Sequence, residues 1–574
     1  MAEGHLCDDY LNEGEDPEEA MRMASLALQL YKGLGDLTAQ ADAIRLILHA
    51  YRSKADLAAG AGVPGFVLSE RHDKNALNAA QDFLNQELQR FKDAQFEEGV
   101  GALYFSAAEL RFASGGDHLT SSEALDLCML ALPILRNVGN QKMLGRVLVF
   151  MSNLHYFFDR SEMERLAKEA QIIFRHLRER SWEARAAYAL SLAHVQATRY
   201  EDAMESAEVA LTIFEEMGNR QMAAFVKSHV SKIYIHMDRP GQALVVAVEV
   251  HEYFKAKRRI AKGWHVTAVG SVVEAHVSMG ATDAAIELLR ESICDAQDLG
   301  DLSGELVLQS WLARSHYEKG SFDEMISVTE EALAICRDMG NRAWEANLLM
   351  ASLSPAYEKK GELDRALQAV QESVAIFQEM GLTTQEASAR YTIAVVYISR
   401  EDLGDAQEAA ELAHSLWKEA GCVSNAMKAL ILLADVFMRM GEVEQAFSSL
   451  HEARELCLPV GDLDGIAQIL QLSAEIHARQ QDYQKALEEQ LEARKIFEQL
   501  GNRKEAAYAL GAVARLYLRN QEPKQAARAA GTALKVFERE RNDKGRVLLL
   551  LTTAEVHMQL LVDCVQSSAR GHEV

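Results

Sequence analysis

Apolar and polar residues alternate along most of this chain with a helical period. Leu510, Val513, Ala514 and Tyr517 fall three and four apart, which puts them on one face of a helix. A second stripe follows at Ala526, Ala530, Ala533, Leu534 and Phe537. Between such stripes lies a short polar turn, Asn520-Gln521-Glu522-Pro523 here and Lys360-Gly361-Glu362 elsewhere. The pattern predicts two amphipathic helices of about four turns each, joined tightly.

The pair recurs. A tag ending in glycine appears at Gly35, Gly139, Gly218, Gly300, Gly340, Gly381, Gly421, Gly461 and Gly501, and from Gly300 onward the steps are 40, 41, 40, 40 and 40 residues. A left-handed glycine closing a helix explains the tag. Four residues before most of these glycines stands a bulky side chain: Tyr31, Leu135, Phe214, Cys336, Phe377, Trp417, Cys457 and Phe497, with Phe537 continuing the row. A row of small residues runs through Ala203, Ala243, Ala285, Met325, Ala366, Ala406, Ala446, Ala486 and Ala526, and another follows seven positions later. Small side chains let helices approach closely. A third row reads His194, Tyr234, His276, His316, Tyr357, Tyr397, Phe437, His477 and Tyr517, with His557 beyond it. Neither helix of a pair can bury its stripe alone, so neighbouring pairs must stack.

These rows resemble the tetratricopeptide repeat: large, Leu, small, Tyr on the first helix, then Ala, bulky, Ala on the second. Here the positions are Leu510, Val513, Ala514, Tyr517, Ala526, Ala530 and Ala533. The usual unit of this family closes with Pro; here the second helix runs on to Gly-Asp or Gly-Asn and lengthens the unit to 40 residues. The long unit resembles the arrays of kinesin light chains, Pins-type spindle-orientation adaptors, rapsyn and the Rap phosphatase family. The resemblance covers about residues 120 to 560. It implies an all-α, right-handed superhelical solenoid of antiparallel helix pairs, whose first helices line a concave face that binds partner proteins.

The ends are less regular. Residues 1–53 read as irregular helices with a partial repeat, in which 17–36 looks like an isolated second helix. Residues 54–76, rich in Gly and interrupted by Pro, read as a loop or insertion. Residues 77–561 hold about 11–12 helix pairs, the last a first helix without its partner, and 562–574 read as a disordered tail. Pro355 falls inside a first helix, where its missing N–H and its ring should kink the backbone.

Charge narrows the partners. The formal net charge is −25 over 574 residues, which argues against nucleic acid. The greasiest run, Val547 to Leu551, is far too short to span a bilayer. Seven cysteines scattered along the length do not make a secreted disulfide framework, and the acidic N-terminus lacks the features of a signal peptide. The expectation is a cytoplasmic protein without cofactor.

Candidate chemistry is thin. Gly60-Ala61-Gly62-Val63-Pro64-Gly65 spells a dinucleotide fingerprint, but a Pro stands where the helix should open. The histidines of the Tyr row recur once per repeat; equivalent positions on stacked helices lie roughly 10 Å apart, too far to share a metal ion. They read as packing residues that hydrogen-bond a neighbouring helix. Cys128, Cys294, Cys336 and Cys457 read as buried small hydrophobes. No nucleophile or acid/base pair stands out, so no enzyme is expected.

The resemblance places groove positions two before and two after the Tyr row. Two before gives Leu192, Lys232, Glu274, Arg314, Pro355, Val395, Asp435, Glu475, Arg515 and Glu555; two after gives Gln196, His236, Ser278, Glu318, Lys359, Ser399, Arg439, Arg479, Arg519 and Gln559. Lys232, Arg314, Arg439, Arg479, Arg515 and Arg519 are therefore the candidate partner-binding residues. Their guanidinium groups suit acidic segments of a protein or peptide. The expected function is a non-catalytic scaffold or adaptor. A structural subunit of a cytoskeletal or ciliary assembly and a peptide-responsive regulatory sensor are the alternatives.

Overall fold

The computed structural model describes residues 17–58, 74–113, 118–157, 160–258, 262–539 and 543–571. Among these residues the chain is built of antiparallel helices from Pro17–Leu34 to Asp543–Gly571, with no strand. It divides into two compact units, Met1–Glu379 and Met380–Val574, each an α-solenoid of stacked pairs. Most helices are seventeen or eighteen residues long, as in Arg503–Arg519 and Leu363–Met380.

The glycine tag does two jobs. At Gly501 the backbone is left-handed (φ 71°). Its N–H donates to the Glu498 carbonyl at 3.1 Å, and the Asn502 N–H donates to Phe497 at 2.9 Å, which closes one helix. The Asn502 side chain then accepts from the Glu505 N–H at 3.3 Å and caps the next. Asp462 does the same for Gly465 N–H, Asn341 for Trp344 N–H and Asn219 for Met222 N–H. A Gly-Asn or Gly-Asp dipeptide is thus a C-cap and an N-cap in adjacent positions.

The small rows form the seam within each pair. All nine positions from Ala203 to Ala526 are buried, and so are Ala210, Ala332, Ala413, Ala453, Ala493 and Ala533. The bulky row closes over them: Phe214, Cys336, Phe377, Trp417, Cys457, Phe497 and Phe537 are buried too. Buried serines add a polar tie across some turns. Ser191 Oγ donates to the Ala203 carbonyl at 2.7 Å, and Ser231 Oγ to Ala243 at 3.0 Å.

Pro355 is accommodated by a change of helix type. The Arg342–Leu348 helix passes into a π-helical turn, Leu349–Leu353, before resuming as Ser354–Lys360. A wider turn removes the demand for the hydrogen bond that Pro355 cannot donate. It also absorbs one residue, and this is the repeat whose step is 41 and not 40.

The boundaries move at the irregular ends. The second helix runs to Ala58 and the third begins at Lys74, inside the stretch read as a 54–76 insertion. The Gly60–Gly65 fingerprint lies outside the described residues. The last helix continues to Gly571, into the stretch read as a tail. No described helix is long and apolar enough to cross a membrane.

Candidate functional site

Each unit carries a recess formed by successive first helices. In unit 1, Arg220–His236, Lys262–Ser278 and Leu302–Lys319 enclose about 300 Å³. Its lining includes Lys232, His236, Glu274, Ser278, Arg314 and Glu318, residues two before and two after the Tyr row in three consecutive repeats. The floor is apolar, with Ile235, Val273, Val277 and Trp311. Gly270 makes this floor possible. A Cβ there would lie 2.1 Å from the Trp311 ring, so the indole rests directly on the glycine backbone. Neither Lys232 nor Arg314 has an ion-pair partner among the described residues.

The unit 2 recess is larger, about 580 Å³. It is lined by Asp435 from Val423–Met440, by Glu475 and Gln471 from Leu463–Arg479, and by Tyr508, Arg515 and Arg519 from Arg503–Arg519. The arginines expected at groove positions separate into two groups here. Arg439 Nε reaches Asp435 on its own helix at 2.8 Å, and Arg479 reaches Glu475 at 3.3 Å. Those two do not line the recess. Their carboxylate partners do, already neutralised from behind.

Arg515 and Arg519 line the recess and have no ion-pair partner among the described residues. Burial, and after it the positive charge of Arg519, pulls the Arg515 guanidinium below its ordinary value. A charge held in a partly desolvated place beside a like charge calls for an anion. Gln490, on the second helix Tyr483–Gln499, also opens on this recess. It is almost wholly buried and its Oε1 accepts no hydrogen bond. Sequence reasoning restricted to first helices missed it, as it missed the Gly270–Trp311 floor. A polar residue in the otherwise small, apolar seam was the available signal.

A third recess, of about 270 Å³, lies between Leu37–Ala58, Glu97–Ala113 and Gln141–Leu154. It mixes Arg45, Lys142 and Arg146 with Asp42, Glu98 and Glu109. The Arg146 guanidinium is spent on the Trp182 ring, 4.7 Å from its centroid.

The histidines and cysteines resolve unevenly. His194 meets Ser206 Oγ at 3.2 Å, as a packing histidine should. His316 is buried with no hydrogen bond at either ring nitrogen, contrary to the expected bond to a neighbouring helix. No three His, Cys, Asp or Glu converge as metal ligands among the described residues. Cys128, Cys336 and Cys457 are buried, and burial pushes the Cys336 thiol up to about 12 and Cys457 to about 11. Cys294 is exposed, because it falls on the outer face of its helix. One buried Ser–His pair exists, Ser191 Oγ and His229 Nε2 at 3.0 Å. The Ser191 proton is committed to Ala203, so the imidazole serves that hydroxyl as donor and not as base. Burial holds His229 down to about 3, which keeps it neutral.

Residues 425–488 match the tetratricopeptide repeat family model. No curated protein matches the sequence. Among solved structures, BtubC (BKLC) from P. vanneervenii shares 21% identity over 38% of this chain and 90% of that one, with a TM-score of 0.35. Aspartyl phosphate phosphatase F from Bacillus subtilis shares 12% over 59% and 90%, with a TM-score of 0.37. The signal-transduction ATPase PH0952 from Pyrococcus horikoshii, which has a tetratricopeptide repeat sensor, shares 14% over 78% and 73%, with a TM-score of 0.36. The matched segment runs from Val423–Met440 through Val443–Val460 and Leu463–Arg479 into Tyr483–Gln499, helices that pair and stack like their neighbours in unit 2, and this segment is of the tetratricopeptide repeat type.

Proposed function

We propose that this protein is a non-catalytic scaffold whose first-helix grooves hold segments of partner proteins, with an acidic segment taken in the unit 2 recess. One observation carries the reading: Arg515, partly buried, and Arg519 share a recess and have no ion-pair partner among the described residues, while Arg439 and Arg479 are already paired. A bound Asp or Glu side chain would supply the missing anion. The free Gln490 Oε1 would accept a peptide N–H beside it. The rigid, repeated helices give the groove a fixed shape, which lowers the entropic cost of binding an extended segment.

The test is fluorescence anisotropy with labelled hexapeptides rich in Glu and Asp, alongside matched Gln and Asn versions. The wild-type protein should prefer the acidic set. Arg515→Ala with Arg519→Ala should remove that preference, lowering affinity about 10- to 100-fold for two charged hydrogen bonds. Arg439→Ala combined with Asp435→Asn, which removes the pair together, should leave affinity within about twofold, since the two charges cancel. Equal binding of acidic and amide peptides by the wild type would sink the proposal.

A further inference from the structure

The helices at the two extremes of the described chain are exposed at positions that interior repeats bury. Aligned on the glycine tag, Met23 and Leu30 of Pro17–Leu34 correspond to Ala369 and Ile376, and to Glu489 and Ile496. Interior residues at the Leu30 position are 2% exposed at Ile376 and 9% at Ile496, whereas Leu30 is 64% exposed. Met23 is 54% exposed where Ala369 is 5%. Ala20, Ala27 and Tyr31, which match Ala486, Ala493 and Phe497, are only half-buried. This helix has the features of a second helix, and the open side is the one that interior second helices turn toward the first helix of their own pair.

The far end shows the opposite half. Aligned on the Tyr row, Val547, Leu550, Ala554 and Met558 of Asp543–Gly571 correspond to Ala507, Leu510, Ala514 and Leu518. Leu510 is 7% exposed and Ala514 0%, but Leu550 is 51% exposed and Ala554 lies open. Val547 is 59% and Met558 65% exposed. The stripe runs at spacings of three and four along the helix. In the preceding pair the equivalent first-helix residues, Leu510, Val513 and Ala514, pack on Ala529, Ala530, Ala533 and Phe537 of the second helix.

From these halves we infer that the Asp543–Gly571 helix of one molecule packs against the Pro17–Leu34 helix of another, completing a repeat between copies. The interface inside every interior pair is the template: a first-helix stripe on a second-helix stripe. One end offers the first kind of stripe uncovered and the other end the second kind. Both faces are apolar and exposed and they are of opposite kind, which fits a head-to-tail contact. Such a contact is heterologous, so association is open and does not stop at a dimer.

Sedimentation velocity of the full chain from about 1 to about 100 µM reads the contact directly. The expected result is a mean size that climbs with concentration through dimer and beyond. Leu30→Glu and Leu550→Glu each place a charge in one stripe and should each hold the protein monomeric. Mixed together they should form a dimer and stop there, because only one combination of intact ends remains. Both substitutions fall on exposed positions, and unchanged thermal melts would show that each variant is folded. A wild-type chain monomeric throughout the range would overturn the inference. So would self-association of either variant alone, which would mean like ends pair, and so would a mixture that stays monomeric.

Discussion

Gln481 and Gln521 sit in left-handed backbone, with φ of 66° and 61°. They occupy the turn between first and second helix, where Gly361 and Gly441 stand in other repeats. The turn closes in the same way whichever residue is there: the Glu522 N–H donates to Tyr517 at 2.8 Å, and the Glu442 N–H to Phe437 at 2.9 Å. A side chain in this conformation crowds its own carbonyl. Gln521→Gly should therefore raise stability by about 0.5–1 kcal/mol, the relief of that crowding less the entropy that glycine loses on folding. Urea unfolding would read it as a higher midpoint at unchanged slope. A lower midpoint would mean that the Gln521 side chain makes a stabilising contact.

The histidines act at the same scale, through pH. His251 and His265 are both buried, with ring centroids 5.4 Å apart, and His251 Nδ1 and His265 Nε2 have no hydrogen-bond partner. Burial first, then the neighbouring His251, holds His265 down to about 4; burial and Lys255 lower His251. The other charges facing the pair are Glu252 on the same helix as His251, Arg258 just beyond it, and Glu291 and Asp295 on Thr282–Asp298. In the unfolded chain both imidazoles take a proton near pH 6.5; in the folded chain they resist it. Their contribution to stability is whole above pH 6.5 and is lost as pH falls toward 4. A His251→Phe, His265→Phe variant should lose less stability than wild type between pH 7 and pH 4 in urea titrations. Parallel pH curves would show that the pair does not titrate this way.

At the scale of the element, the sequence announces most helices because each boundary has a chemical cause. Gly-Asn and Gly-Asp fix both ends of a junction, and the small and bulky rows name the buried face. The 41-residue step and Pro355 were visible too, and the break they announce takes the form of a π turn. Local rules show that Pro cannot donate; they do not say how the helix makes room, and here it widens at a turn whose Leu349 and Leu353 are buried. The candidate recesses were legible in part for the same reason. The rows two before and two after the Tyr position supply lining residues in both units. The pairing of Arg439 with Asp435 and of Arg479 with Glu475 follows from i, i+4 spacing. Gly270 was not legible, since a mid-helix glycine gives no hint of what leans on it. Glycine here costs helix propensity of about 1 kcal/mol relative to alanine, yet Gly270→Ala should destabilise unit 1 by about 1–3 kcal/mol by displacing Trp311. Tryptophan emission should shift red as the indole leaves its floor. An unchanged spectrum with raised stability would show that the recess does not depend on this contact.

Across the whole molecule, stability is set by neighbours. A solenoid has no central core, so each pair is held by its own seam and by the pairs beside it. Two buried clusters follow this rule: one gathers residues of 394–476 and another those of 474–549. Damage should therefore stay local. Phe497 is almost wholly buried at the closure of its pair. Phe497→Ala should cost about 3–5 kcal/mol at that site. Hydrogen exchange read by mass spectrometry should show lost protection in Leu463–Arg479, Tyr483–Gln499 and Arg503–Arg519. The helices Arg180–Gln196 and Tyr200–Glu216 of unit 1 should keep their protection unchanged. Uniform loss along the chain would mean one cooperative fold, and the nearest-neighbour account of this array would fail.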